Sequence, residues 1–202
     1  MSQVTEVELA KRLMAGDTSA FEPFVEGMQG RLFRFAFANC GQREDAEEVA
    51  QETLLKVFES LKQLREPERI RPWVFRIAKN ICYMRRRKSI YAPEEELSLD
   101  QLMPGFRDDS DGRKLEIADW SHLPEKEAMS AETREMLRKS ILELPDIYRH
   151  TLLLRDMEEL STEETAEVLG INTDAVKTRL HRARLALRQK MDHRMRMETA
   201  AR

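Results

Sequence analysis

The sequence predicts an all-α protein: two small helical domains joined by a flexible acidic linker. Three observations predict it. Leu, Ala, Glu, Arg and Met abound, whereas only seven glycines and 6% aromatics are present, a balance that favours helices over sheets. Apolar residues recur at spacings of three and four in two blocks, one ending near residue 88 and one starting near residue 127. Between Ile90 and Pro124 that periodicity fades into acids, with Pro93, Pro104, Gly105, Gly112 and Pro124 among them. The expected units are therefore residues 1–88, a linker at 89–126, a second unit at 127–192 and a flexible tail at 193–202.

Residues 5 to 15 read as a short amphipathic helix ended by Gly16-Asp17. Thr18 or Ser19 is positioned to cap a longer helix from about Ala20 to Cys40, with Phe21, Phe24, Val25, Met28, Leu32, Phe35 and Ala36 at helical spacing. After "GQRED" a third helix lines up Ala46, Val49, Ala50, Leu54, Val57, Phe58 and Leu61. A loop with Pro67 and Pro72 precedes the fourth, "WVFRIAKNICYMRRRKS", which turns Trp73, Val74, Ile77 and Ile81 inward. Beyond the linker, "AETREMLRKSILELP" stops before Pro145, and Pro145 suits the first turn of the next helix. Ser161 and Glu164 form a capping-box pattern. Gly170 suits a left-handed helix end, and Asn172 or Thr173 can cap a last, basic helix.

The net charge of -3 averages opposed blocks. From Lys177 to Arg196 there are eight Lys or Arg against one acid, and from Arg76 to Lys88 six against none. From Glu94 to Glu132 the balance reverses, with twelve acids against four cations. No apolar run approaches the roughly 20 residues that cross a bilayer, and the N-terminus lacks a secretory core. Cys40 and Cys82 stand far apart without a CxxC pattern, so they read as two small hydrophobes of a reducing, cytoplasmic compartment. His122, His150, His181 and His193 show no metal-ligand spacing, and no glycine loop cradles phosphate. Neither a catalytic set, a cofactor nor a metal site is expected.

"STEETAEVLGINTDAVKTRLHRAR" reads helix, glycine turn, helix. Ala166 is small where two helices cross, and Leu169, Ile171, Val176 and Leu180 supply a shared core. A stripe of Val176, Leu180, Ala183 and Leu187 leaves the cations on the other side. This is the arithmetic of a helix-turn-helix, whose second helix enters the major groove and reads base edges there. From the residues alone, a stand-alone regulator and a helical adaptor stay open as alternatives.

Two blocks carry a resemblance. "LPDIYRHTLLLRDMEELSTEETAEVLGINTDAVKTRLHRARLALRQ" resembles region 4 of bacterial RNA polymerase sigma factors, and "REDAEEVAQETLLKVFESLKQLREPERIRPWVFRIAKNICYMRRRK" resembles region 2. In this order, with a short linker and no third domain, the pair resembles the extracytoplasmic-function (ECF, group IV) sigma factors. The resemblance implies a factor that binds core RNA polymerase through its β′ clamp helices and β flap, directs it to promoter DNA, and is held by an anti-sigma factor. It implies a polymerase-docking face at Asp45, Glu48, Gln51, Glu52 and Lys56.

A track for the melted -10 strand is implied at Arg65, Arg69, Arg71, Arg76, Lys79, Asn80 and Tyr83, continued by Arg85 to Lys88 and interleaved with Trp73 and Phe75. Cations there neutralise phosphates and aromatic rings stack bases. An amide such as Asn80 both donates and accepts, so it can read a base edge. For the duplex -35 element the resemblance implies Thr173, Lys177, Thr178, Arg179, His181, Arg182 and Arg184. The acidic linker would pass the polymerase cleft, where "PEEEL" and "DDSDG" stand in for nucleic acid or serve only as a tether.

Overall fold

The computed structural model describes residues 5–88 and 131–200, with the side chains of 86–88 and 198–200 outside that description. The expected acidic linker also lies outside it. Among the described residues there are eight α-helices.

Helix α1 spans Glu6–Met14, opened by Thr5, whose hydroxyl accepts from the Glu8 amide at 3.3 Å. A short 3-10 turn, Thr18–Ala20, leads into α2, Phe21–Cys40. Gly41, at φ +80°, ends that helix, because a left-handed residue without Cβ avoids the clash other residues meet there. Helix α3 follows at Arg43–Ser60 and α4 at Ile70–Lys88.

The sequence predicts α4 from Trp73; the helix begins three residues earlier, at Ile70. Pro72 falls in its first turn, where an N–H has no intrahelical partner to lose. Phe24, Met28, Leu32 and Phe35 of α2 pack against Ala46, Val49 and Val57 of α3 and Val74, Phe75, Ala78 and Ile81 of α4. Phe35 meets Phe75 edge-on at 5.3 Å. Each such buried side chain contributes roughly 1.5–3 kcal/mol of hydrophobic stabilisation.

The stripe expected on α3 holds at Ala46, Val49, Ala50 and Val57, and departs at Phe58. Thr53 is fully buried, its hydroxyl donating to the Val49 carbonyl at 2.7 Å, while Phe58 turns outward and stays 54% exposed. Phe21 covers one edge of that ring, the centroids 4.9 Å apart.

In the C-terminal half, α5 is Ala131–Leu142 and α6 is Asp146–Leu152, continued by a wide π-type turn over Leu153–Met157. Helix α7 is Thr162–Leu169 and α8 is Thr173–Ala200. The capping box forms as expected: the Glu164 amide donates to Ser161 Oγ at 3.0 Å and the Ser161 amide to Glu164 Oε2 at 2.7 Å. Gly170 is left-handed at φ +67°. Asn172, rather than Thr173, caps α8, accepting from the Ala175 amide at 2.7 Å.

Leu144, Tyr148, Leu152, Ala183 and Ala186 form a small core of this half. Arg149 is fully buried in it, held by the Leu142 carbonyl and the Asp146 carboxylate. The expected tail at 193–202 is instead helical through Ala200. Met191 is buried, and Glu143, just past the end of α5, pairs with both Lys190 and Arg194, which carries α8 past its core.

The two halves share apolar packing. Leu153, Leu154, Leu160 and Val168 belong to the N-terminal core, not to the small C-terminal one. Arg138 on α5 donates to the Gly41 carbonyl at 3.1 Å and lies over the Phe37 ring at 5.3 Å. The cysteines also meet. Cys82 on α4 is buried beside Cys40 at the end of α2, both as free thiols. A hydrogen bond with Cys40, together with burial, pushes the Cys82 thiol well above its ordinary value. Their separation in sequence hid this contact.

Glycines 41 and 170 separate two costs. Both replacements by alanine meet a left-handed backbone, at about 1 kcal/mol. Only at Gly41 would the new Cβ also press on Leu142 Cδ1, at 2.9 Å. Thermal denaturation should therefore place Gly41→Ala below Gly170→Ala in Tm.

Candidate nucleic-acid interface

Helix α8 starts where the capped α7 and the Gly170 turn aim it. Val176, Ala183 and Ala186 are buried, which leaves Thr173, Lys177 and His181 recurring every four residues on an outer face beside Asp174, Thr178 and Arg182. Lys177 and Thr178 are exposed; Thr173, Arg179, His181 and Arg182 are half-buried. The Lys177 ammonium reaches Asp174 at 3.2 Å across a solvent-exposed turn.

Arg184 departs from expectation. Its guanidinium grips Asp156 with two bonds, Nε to Oδ2 at 3.0 Å and Nη2 to Oδ1 at 2.6 Å, and so braces α8 against the π-type turn. Two turns beyond Lys177 on the same side of the helix, its guanidinium is turned aside to this carboxylate.

On α4 the positions Arg76, Lys79, Asn80 and Tyr83 fall at i, i+3, i+4 and i+7, one face of the helix. Asn80 and Tyr83 are exposed, and Arg65 is exposed in the preceding turn. The interleaved aromatics divide. Trp73 and Phe75 are core residues at 7% and 0% exposure, which leaves Tyr83 as the accessible ring of the three. Arg85 also leaves the track, because it projects to the α3 side. There it sits among Glu48 at 2.5 Å, Glu52 at 3.7 Å and Asp45 at 3.8 Å. Arg86 to Lys88 lie outside the described side chains.

Three further cations assigned to the track, Arg69, Arg71 and Lys79, meet the C-terminal half. Arg69 Nη1 reaches Glu167 Oε2 on α7 at 3.1 Å. Lys79 Nζ donates to the Val168 carbonyl at 3.4 Å, an end of α7 whose dipole favours a cation. Arg71 donates to the Glu158 carbonyl. Burial against this surface, with Arg76 alongside, draws the Lys79 ammonium below its ordinary value.

The α3 face carries Glu48, Gln51 and Lys56 exposed, with Asp45 and Glu52 half-buried, opposite Ala46, Val49 and Val57. Leu55 and Phe58 stand on it at 57% and 54% exposure. Periodicity alone places Phe58 in the core; instead it stands in water three residues from Leu55 on the same surface.

Residues 24–89 match the Sigma-70 region 2 family and residues 134–187 the Sigma-70 region 4 family. The chain is 30% identical over 183 residues to the ECF RNA polymerase sigma factor SigW of Bacillus subtilis, covering 90% of this chain and 94% of that protein. It is 28% identical to the ECF RNA polymerase sigma-E factor of Haemophilus influenzae, over 94% of this chain and 96% of that one.

Among solved structures, CnrH in complex with the cytosolic domain of CnrY matches with a TM-score of 0.64 at 22% identity, over 93% of this chain and 97% of that one. The sigma factor RpoE bound to the anti-sigma factor NepR from Bartonella quintana matches at 0.62 and 21%, over 87% and 98%. The fold and the sequence together define a promoter-directed transcription initiation factor. The chain belongs to the ECF RNA polymerase sigma factors. No helix among the described residues is long and apolar enough to cross a membrane.

The Arg184–Asp156 pair, with side chains 31% and 30% exposed, should hold α8 in place rather than touch DNA. A double-mutant cycle of Arg184→Ala and Asp156→Ala, read by chemical denaturation, should return a coupling of about 0.5 kcal/mol.

Proposed function

We propose that the chain reads promoters through two separate cationic faces, α8 on the duplex -35 element and α4 on the opened -10 strand, while α3 docks on core polymerase. The observation that carries this is the pairing of an outward basic face on a capped helix-turn-helix with an Arg76–Lys79–Asn80–Tyr83 face on α4. Duplex recognition falls to Thr173, Lys177, Thr178, Arg179, His181 and Arg182. Arg65, Arg69, Arg71, Arg76 and Lys79 follow the single-strand backbone, Tyr83 stacks a base and Asn80 reads an edge.

Polymerase docking falls to Asp45, Glu48, Gln51, Glu52 and Lys56 on the β′ clamp helices, with Leu55 and Phe58 as apolar anchors beside them. For the β flap we assign the groove of about 820 Å3 between α5 and α8, lined by Met136, Lys139, Ala186 and Met197 among others. The matched RpoE structure holds a sigma factor with the anti-sigma factor NepR, and an anti-sigma protein is the partner we infer for this chain too. It acts in the cytoplasm, where its polymerase works, as a DNA-directed regulator without catalysis of its own.

In vitro transcription with purified core polymerase on a promoter library tests the reading. The protein should add start sites that core alone does not use; identical start sites with and without it would sink the proposal. Lys177→Ala combined with Arg179→Ala should lower -35-dependent initiation at least about tenfold, since each lost contact costs roughly 1–3 kcal/mol. Core binding, followed by co-elution, should be unchanged.

A further inference from the structure

Among the cations on the outer face of α8 sits one acid. Between Gly170 and Met191, Asp174 is the single carboxylate in a stretch that carries six Lys and Arg. Successive helical residues turn about 100° apart, which sets Asp174 and Thr178 opposite the buried Val176 and Ala183. Asp174 therefore stands near the middle of the outer face, its side chain 87% exposed. It does not cap the helix, because the Asn172 amide oxygen already accepts from the Ala175 N–H at 2.7 Å. Its carboxylate instead holds the Lys177 ammonium at 3.2 Å. An exposed pair of this kind contributes little to stability. An acid placed here also repels every phosphate alike, which lowers affinity for all sequences; what it returns is discrimination between bases.

Base edges differ in what a carboxylate meets. In the major groove cytosine offers the N4 amino donor and no acceptor. Guanine offers the acceptors O6 and N7, thymine the acceptor O4, and adenine an acceptor N7 next to its donor. A carboxylate only accepts, so cytosine suits it, and the other three set a lone pair against it. An ammonium only donates, and suits guanine O6 and N7. Within a G·C pair, cytosine N4 and guanine O6 lie about 2.9 Å apart, the length of the hydrogen bond that joins them. The 3.2 Å between Lys177 Nζ and Asp174 Oδ1 is close to that spacing.

We infer that Asp174 and Lys177 read one G·C base pair as a unit, the Asp174 carboxylate accepting from cytosine N4 and the Lys177 ammonium donating to guanine O6 or N7. Asp174 is then a specificity-determining residue that the basic run concealed. The inference rests on the reading of α8 as the helix that enters the -35 duplex. Glu163, on the first turn of α7, supplies the contrast. Its own backbone amide and the Ser161 side chain hold its carboxyl below the usual range, and Arg155 and Lys177 add to this. It feels the Lys177 charge but belongs to α7, which makes it the control for bare charge.

Holoenzyme assembled from core polymerase and the full chain tests this on a promoter that the protein directs, with the upstream duplex randomised and the retained DNA sequenced. With wild type, one position should hold cytosine on one strand at least about fivefold over the other bases. Asp174→Ala should flatten that position and leave its neighbours, and Lys177→Ala should relax the same base pair. Asp174→Asn should move the preference to adenine, because an amide accepts from N6 while donating to N7. Glu163→Gln should leave the cytosine in place.

Higher retention of all sequences alike by the Asp174 variants, with every preference kept, is the bare effect of a lost negative charge and overturns the inference. So does a Glu163→Gln profile identical to that of Asp174→Asn. If Lys177→Ala relaxes a base pair that no Asp174 variant alters, α8 still reads the duplex and only the paired reading falls. If no variant of α8 alters any position, Lys177→Ala with Arg179→Ala included, the duplex reading itself is wrong.

Discussion

Helix α4 has to be two things at once, and the rest of the molecule is arranged around that constraint. One side must be apolar enough to close the N-terminal core, with Val74, Phe75, Ala78, Ile81 and Cys82 all buried. The other must carry like charges along a single helix, which repel unless oxygen is brought to them. The structure supplies oxygen from two directions: the α3 carboxylates Asp45, Glu48 and Glu52 around Arg85, and α7 with its preceding turn around Arg69, Arg71 and Lys79. The cations along this helix are thus matched by oxygen from both sides.

The C-terminal half faces a similar division. Its own core is small, five buried residues around Tyr148 and Ala183, and a basic recognition helix contributes little apolar area to it. Part of its stability is borrowed from the N-terminal half through Leu153, Leu154, Leu160 and Val168. The wide turn over Leu153–Met157 is what makes this possible. It swings Leu153 and Leu154 away from the helix-turn-helix core, and Arg184 braces the exposed side of the same turn through Asp156. The docking of the halves and the aim of α8 are therefore mechanically connected.

That connection bears on how such a factor stays silent. A strong cationic surface in a cell full of polyanions binds without selectivity. Covering it with carboxylates and helix-end carbonyls lowers its field. Exposed Leu55 and Phe58 lie on α3, away from this closure, so a protein partner can dock there without first prying the halves apart.

Much of this was legible in residues alone. Helical spacing placed α2 and the start of α3 within a residue or two, and the Ser161–Glu164 box with Gly170 located the helix-turn-helix, because caps and left-handed turns are decided by contacts within a few residues. Charge blocks pointed to both cationic helices. Tertiary structure decided which cations stay available. Arg184 and Arg85 read as members of a basic run, yet each answers to a carboxylate brought near only by folding, Asp156 in one case and Glu48 in the other. Phe58 fitted the periodic stripe yet stands outward against Phe21, while Thr53, whose hydroxyl bonds its own helix, is buried. Cys40 met Cys82, and Glu158 met Arg31 and Arg71, across stretches of chain that no local pattern spans. Sequence periodicity records which face of a helix is apolar; which partner each polar face finds is settled by packing at long range, where burial and charge are balanced together.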